Sequence, residues 1–432
     1  MKLLKIKLLI LILACFFSQA IASAPQNLLQ ITDTSVPSSV VPQRHSCLWN
    51  SVDFDFFMET MSESKDILKG KSAFVELDQN SHVMIVGDLH GDFISFLAIV
   101  NQFNKFIGTL PEKDRKKAHL IFLGDLVDRG PNSINIIRNI AQLIIENPEN
   151  IIVLRGNHEW DSSLNERYGF KAECQAYYDA GKPDAPLYSL IEEFFQYLPI
   201  CAKIGNCYLM HGFVPHHETK NEFILPKKII GELKLPIDPR ALSPTQRNFI
   251  EQVLWNDLHE GALRHKEGRF QGTFSFSESY VNDFFRKRGI TIIRGHQIIA
   301  PEPDRNVFTI FSSYFNYQLE KFKENDGRIS IKRYSTTPFF KTPIAYLATI
   351  APQNKVTPIH LEEFELIEAL DGISDYLNKR EVERILQAFC CAQEKYKPSE
   401  EFLIFRHKIE EKTKVADSSP TEPVPTSSTD SE

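Results

Sequence analysis

The chain has 432 residues, a formal net charge of −7 and a sequence pI near 6.0. At about 150 residues per domain this length allows two or three domains or one large one, and the acidic balance argues against a dedicated nucleic-acid binder, which shows a basic footprint. With 42% hydrophobic and 24% charged residues, a sizeable core can form without a disulfide or metal to hold it, and collagen, coiled-coil and wholly disordered chains are excluded.

The first 22 residues read as an export signal. Lys2, Lys5 and Lys7 form a positive start, residues 8–17 an apolar run, and Ala20-Ile21-Ala22 a small-x-small cleavage pattern. The run is shorter than the roughly 20 residues of a membrane span. An uncleaved anchor and lipidation at Cys15 are the alternatives. Cleavage removes three lysines and no acids, taking the charge from −7 to −10. The mature chain is then expected in the periplasm or outside the cell, without stable membrane insertion. Residues 23–50 form a Ser- and Pro-containing lead-in without periodicity. Six cysteines remain after cleavage (Cys47, Cys174, Cys201, Cys207, Cys390, Cys391); none has zinc-finger spacing, and buried small residues are the expected role.

Helical spacing of apolar residues covers 54–68. Two short strands, 73–77 and 83–86, follow, separated by Asp78-Gln79-Asn80-Ser81, which predicts a hairpin. A rhythm of strand, polar loop and helix then repeats three times. Val83-Met84-Ile85-Val86 ends in Gly-Asp before a helix at 93–106. Leu120-Ile121-Phe122-Leu123 ends in Gly-Asp before a helix at 133–145. Ile151-Ile152-Val153-Leu154 ends in Arg-Gly-Asn-His. This is an α/β layered pattern with parallel strands, whose ligands collect at the strands' carboxyl ends. A helix at 187–197, strands at 204–210, 290–293, 308–312 and 344–350, and helical periodicity over 361–396 complete the chain. The tail from 412 to 432 lacks the apolar surface to fold.

Five strand ends carry chemistry: Gly87-Asp88-Leu89-His90-Gly91-Asp92, Gly124-Asp125-Leu126-Val127-Asp128-Arg129-Gly130, Arg155-Gly156-Asn157-His158-Glu159, His211-Gly212 and Gly295-His296-Gln297. One Gly-Asp turn is ordinary turn chemistry. Five successive strand ends, each offering Asp, His or Asn beside a glycine, point instead to a site for divalent cations.

These motifs resemble the phosphoprotein phosphatase (PPP) family of the calcineurin-like metallophosphoesterase superfamily. The likeness spans roughly residues 70–320. It extends to Tyr168-Gly169-Phe170, Glu173-Cys174, Leu198-Pro199-Ile200, Leu254-Trp255-Asn256-Asp257 and Phe274-Ser275-Phe276. Asp128-Arg129 speaks against a diadenosine-tetraphosphate hydrolase. The resemblance implies a metallophosphoesterase-type four-layer β-sandwich flanked by helices, in a catalytic domain over 51–350; a C-terminal helical extension over 351–411, read from its periodicity, lies outside the likeness. It implies two divalent metal ions (Mn first, with Fe or Zn as alternatives). Asp88, His90 and Asp125 would hold one; Asn157, His211 and His296 would join Asp125 on the other. A metal-bridging hydroxide would attack phosphorus directly. His158, oriented by Asp128, would protonate the leaving group. Arg129, Asn157, Arg269 and Tyr317 would bind substrate, and Arg155 and Glu159 would be structural.

The implied substrate is phosphoserine or phosphothreonine in protein; phosphotyrosine, small phosphoesters or nucleotides, and a catalytically silent scaffold are the alternatives. The C-terminal helices over 361–409 are expected to pack on the catalytic domain, with contact to a regulatory or host protein, or steering of substrates, as the alternatives. Asp92 departs from the family's usual Gln, Phe213 from a second Gly, and Ser312-Ser313-Tyr314-Phe315-Asn316-Tyr317 from Ser-Ala-Pro-Asn-Tyr. These departures are expected around the substrate groove. His216-His217 is expected as a solvated loop.

Overall fold

The structure, a computed structural model, describes residues 51–177, 186–217, 222–299, 305–313, 317–323, 329–336, 346–351 and 355–360. A helix, Ser51–Leu68 (α1), precedes two short strands, Phe74–Leu77 (β1) and His82–Val86 (β2). Then come Phe93–Thr109 (α2), Ala118–Phe122 (β3), Ser133–Glu146 (α3) and Ile151–Val153 (β4). Four helices follow: Asn157–Trp160 (α4), Ser162–Tyr168 (α5), Phe170–Tyr177 (α6) and Pro186–Phe195 (α7). The chain continues through Cys201–Ile204 (β5), Cys207–Met210 (β6), His216–His217 (β7), Glu222–Phe223 (β8), Lys227–Ile230 (α8) and Pro244–Trp255 (α9). Asp257–His259 (β9), His265–Glu267 (β10), Phe274–Ser277 (β11), Glu278–Arg286 (α10), Thr291–Arg294 (β12) and Val307–Thr309 (β13) come next. Tyr317–Lys323 (β14), Ile329–Thr336 (β15), Tyr346–Ala351 (β16) and Lys355–His360 (β17) end the described chain.

Two five-stranded sheets organise these elements, in the orders β17-β16-β2-β3-β4 and β1-β5-β6-β12-β13. Side-chain alternation explains why they stack, since successive residues of a strand face opposite sides. Val83, Ile85, Ile121, Ile152 and Ala348 of the first sheet meet Ala202, Ile204, Leu209, Ile293 and Phe308 of the second in one buried cluster. Met84, Val86, Leu120, Phe122 and Val153 point the other way and join the larger core that includes Phe96 and Ile99 of α2 and Ile136, Ile137 and Ile140 of α3. Helix, sheet, sheet, helix is the metallophosphoesterase fold, with β2, β3 and β4 parallel and β6, β12 and β13 parallel. The carboxyl ends of both triplets lie along one edge. There Asp88 bridges to Phe311, just beyond β13, and Ser312 donates its N–H to Asp88 O at 3.1 Å.

Three expectations change. β1 and β2 are not a hairpin. The turn is present, with Asn80 N–H donating to Asp78 at 2.7 Å, but it carries the chain from one sheet to the other, so β1 pairs with β5 and β2 with β3. The single strand at 204–210 is two, β5 and β6, folded antiparallel about Gly205, whose φ of +52° makes the turn. The first five-stranded sheet also continues past residue 350, because β17 pairs along β16 to His360. The helical periodicity over 361–396, the lead-in and the tail lie outside the described residues. Among the described residues Cys174, Cys201 and Cys207 are buried and free, consistent with small core side chains, and no helix is long and apolar enough to cross a membrane.

Candidate metal centre

Three of the five motifs turn sharply out of their strands through left-handed residues. Among the described residues only His90, Asp125, Asp128, Arg129 and His296 combine a side chain with a φ between +47° and +72°. This left-handed region is rarely adopted outside glycine. The turns are held by backbone bonds between motifs: Leu89 and His90 N–H both donate to Asp125 O at 2.9 Å, and Gly295 N–H to His211 O at 2.9 Å. Beneath them Glu159 accepts three backbone N–H groups, from Asp125 and Gly156 at 2.9 Å and Leu126 at 2.8 Å. That bears on the structural role read for Glu159. Arg155 lies nearby over the Trp160 ring, donating to Glu159 O and Ile237 O.

The turns gather two sets of donors around Asp125. On one side His90 Nε2 lies 3.5 Å from Asp125 Oδ2 and 3.8 Å from Asp88 Oδ2. On the other, His211 Nε2 lies 3.2 Å from Asp125 Oδ1, 2.8 Å from Asn157 Oδ1 and 3.1 Å from His296 Nδ1. His296 Nδ1 is 2.9 Å from Asn157 Oδ1, and its N–H donates to Asp88 Oδ1 at 2.8 Å. Asp125 thus stands between the sets, and all six expected ligands converge in one buried place.

The donor chemistry fits cations. His90 Nδ1 and His211 Nδ1 face the carbonyls of Val127 and Leu123 at 3.0 and 3.1 Å. A hydrogen on each Nδ1 fixes the tautomer and leaves Nε2 as a bare lone pair directed inward. Lone pairs and carboxylate oxygens packed this closely repel unless positive charge lies among them. Burial opposes charge on His211, yet Asp125, Asp88 and Glu159 outweigh it and hold its pKa above the usual value. Asp125 itself is buried, but the facing imidazoles of His211, His158 and His90 keep it well below the carboxylate range. Asp88 has less support, and burial pushes it up to about 6. The donor set of carboxylate, imidazole and amide oxygen suits divalent cations without selecting one. His90, Asp125 and His158 form one cluster of metal-competent spacing, and Asp125, His211 and His296 another.

Beside the first set, His158 Nδ1 bonds Asp128 Oδ2 at 2.7 Å, and Nε2 faces Asp125 Oδ2 at 3.8 Å. Asp128 also accepts from Asn165 Nδ2 at 2.7 Å and Phe170 N–H at 2.9 Å, and Tyr188 donates to Asn165 Oδ1 at 3.0 Å. Burial opposes charge on His158, but Asp125 and Asp128 raise its pKa above the usual value. Arg129 lies over the Tyr168 ring, and its buried Nε has no hydrogen-bond partner among the described residues.

Arg269 sits on the other flank. Its Nε and Nη2 donate to Asp257 at 2.7 and 3.1 Å, and Asp257 Oδ1 lies 3.5 Å from His296 Nε2. In this arrangement it braces Asp257. Tyr317 opens β14 opposite Thr336; its side chain lies outside the described residues. Two of the departures are buried. Asp92 is buried, caps α2 through Ser95 N–H at 3.1 Å and accepts from Ser313 Oγ at 3.1 Å. Phe213 is buried against Phe223, Phe276 and Phe285. His216 is strand rather than solvated loop, and its ring packs on Phe223 and Phe274.

Sequence reasoning missed Asn165 and Arg294 and quoted Asp257 only as a neighbour. For Arg294 a signal existed: a charged residue closing the apolar strand Thr291–Arg294, directly before a histidine motif.

A sandwich whose shared edge presents two ligand sets, with an imidazole–carboxylate pair beside them, defines a metal-dependent phosphoesterase. The calcineurin-like phosphoesterase family model matches residues 81–300, half of the chain, and the chain belongs to that family. It is 27% identical over 273 residues to serine/threonine-protein phosphatase PP1-delta of Caenorhabditis elegans, covering 62% of this chain and 80% of that protein. It is 29% identical over 257 residues to serine/threonine-protein phosphatase T of Aspergillus oryzae, covering 58% of this chain but 49% of that longer relative. Among solved structures, a serine/threonine phosphatase of Saccharomyces cerevisiae described as similar to human phosphatase PP5 superposes with a TM-score of 0.52. It is 21% identical and matches 72% of this chain and 90% of that one, a likeness of fold. These relatives bear out the PPP resemblance.

Proposed function

We propose that the chain hydrolyses phosphoserine and phosphothreonine monoesters in proteins. The observation that carries this reading is the His158–Asp128 pair, bonded at 2.7 Å beside the Asp125 carboxylate. It sets a proton donor at the rim of two cation sites. The substrate is supported by the serine/threonine phosphatases that the chain is similar to. Asp88, His90 and Asp125 would hold one divalent ion, and Asp125, Asn157, His211 and His296 the other. When bound, the two ions clamp the phosphoryl group and supply an activated water at neutral pH. The protein's residues do the rest. Arg129 would offer guanidinium donors to phosphate oxygens. As the P–O bond breaks, the His158 Nε2 proton passes to the leaving alkoxide. Asp128 keeps the imidazole in that orientation, and Asn165 and Phe170 N–H keep Asp128 in place.

The test is phosphate release from matched phosphoserine, phosphothreonine and phosphotyrosine peptides and a small aryl phosphate, with Mn and with chelator, for wild type, Asp88→Asn and His158→Ala. Metal-dependent turnover of the first two peptides, lost in both variants, is expected. Turnover of the aryl ester or phosphotyrosine alone would replace the substrate. Absent turnover with two bound ions would favour the silent scaffold.

Mn is the proposed ion in vitro; metal analysis and reconstitution with Mn, Fe and Zn decide it. We also propose export through residues 1–22, supported by their lysine, apolar and small-residue order. A mature protein beginning at Ser23 outside the cytosol is expected, and an intact chain found solely in the cytosol would refute it. A regulatory or host partner is proposed for residues 361–411, tested by whether their deletion abolishes co-purification of that partner while activity on peptides survives.

A further inference from the structure

We infer that Arg294 is a positioning residue for the second set of donors, acting from behind it; the inference rests on the two-metal reading above. Arg294 is among the largest fully buried side chains among the described residues. A buried guanidinium is ordinarily paired with a carboxylate. This one is spent on uncharged acceptors, among them Thr309 Oγ1 of β13, which Nη1 reaches at 3.4 Å. Its Nε donates to the carbonyl of Gly212, the residue after His211. Nη2 donates to Asn256 O at 3.2 Å, directly before Asp257. Nη1 donates to Gln297 Oε1 at 2.7 Å, directly after His296. Gln297 extends the tie, accepting Leu258 N–H at 2.7 Å and donating to Leu258 O at 3.1 Å.

Three strand-end segments therefore meet at one planar cation, and they carry His211, Asp257 and His296. None of these bonds reaches the segments of His90 or Asp125. A guanidinium suits the task because its donors lie in a fixed fork, whereas an ammonium offers a point charge that cannot span three directions. Partners that orient metal ligands from outside are commonly worth ten- to a hundred-fold in metal affinity. Arg294 touches neither substrate nor reacting atoms, so its effect should appear in metal binding before catalysis.

The test is Mn titration by calorimetry with metal analysis on the full chain, comparing wild type, Arg294→Lys and Gln297→Ala, with His296→Ala and Asp88→Asn as references. The expected result is two ions in wild type. In Arg294→Lys the site whose affinity survives in His296→Ala should change less than threefold, and the site whose affinity survives in Asp88→Asn should weaken about ten- to a hundred-fold. Gln297→Ala should weaken the second site several-fold, and excess Mn should restore turnover with KM near wild type. Thermal melts establish that each variant is folded; if Arg294→Lys is not, Gln297→Ala decides. Two sites of wild-type affinity in the folded variants, or equal loss at both, would overturn the role of Arg294. A wild type that binds fewer than two ions would instead overturn the two-metal reading.

Discussion

Replacing Glu173 by Gln should stabilise the protein at pH 8 relative to its effect at pH 5. Glu173 lies on α6, is 5% exposed, and accepts the Ile134 N–H at 3.0 Å in the first turn of α3. Burial pushes its pKa from 4.5 up to about 7, against the lowering effect of the Ile134 N–H and of the Ser133 hydroxyl and N–H. Below pH 4.5 the carboxyl is protonated in folded and unfolded chains alike, and its stabilising contribution is complete. Between 4.5 and 7 the folded chain holds a proton that the unfolded chain has lost, so stability falls as pH rises. At 1.36 kcal/mol per unit the whole window is worth about 3 kcal/mol. Gln keeps an acceptor for Ile134 and cannot ionise, so it escapes this loss. Urea unfolding of both proteins with saturating Mn, at pH 5 and pH 8, measures the difference, and other titrating groups cancel. A gap between variant and wild type that stays constant within about 0.5 kcal/mol would refute the buried, neutral carboxyl. The loop before α3 carries Asp128 and Arg129, so the same titration bears on the catalytic edge.

Asp128→Asn and His158→Ala should each lower kcat on phosphoserine peptides by about 10²–10⁴. The loss should be smaller for an aryl phosphate, whose leaving group needs little protonation; equal losses would remove His158 as proton donor. Arg129→Ala should raise KM and the inhibition constant of inorganic phosphate by about ten-fold or more, and unchanged phosphate inhibition would argue against its role. Gly87→Ala should cost about 3 kcal/mol or more, since the added Cβ would fall 1.9 Å from Ile310 O. Gly108→Ala, in α2 with nothing within 4 Å, should gain about 0.5–1 kcal/mol. Thermal melts of the pair check both signs.

The six candidate ligands were legible as a group because each sits where an apolar run meets a glycine, and the fold places those junctions on one edge. The pairing of strands was less legible. Asp78–Ser81 makes the same local turn whether the next strand returns or crosses to another sheet, and which occurs depends on β5 and β3, far along the chain. The β5–β6 turn hides in Ile204-Gly205-Asn206-Cys207 because both flanking strands are apolar. Supports such as Arg294 and Asn165 act through distant carbonyls and carboxylates, and their spacing carries no local signature. Asp92 shows the converse. Its departure from the family's pattern was visible, but only the Ser313 contact, 221 residues away, reveals it as a buried brace.

The five left-handed residues have a consequence for how such a protein evolves. Each non-glycine residue held at positive φ costs on the order of 1 kcal/mol, and His90, Asp125, Asp128, Arg129 and His296 together reach about 5 kcal/mol, the lower end of a whole domain's stability. Glycine at any of the five would relieve that cost and remove a ligand or a catalytic group. A library sorted for thermal survival alone should therefore gather glycine at these positions and lose activity as it hardens, so heat resistance and turnover pull this edge of the sandwich in opposite directions.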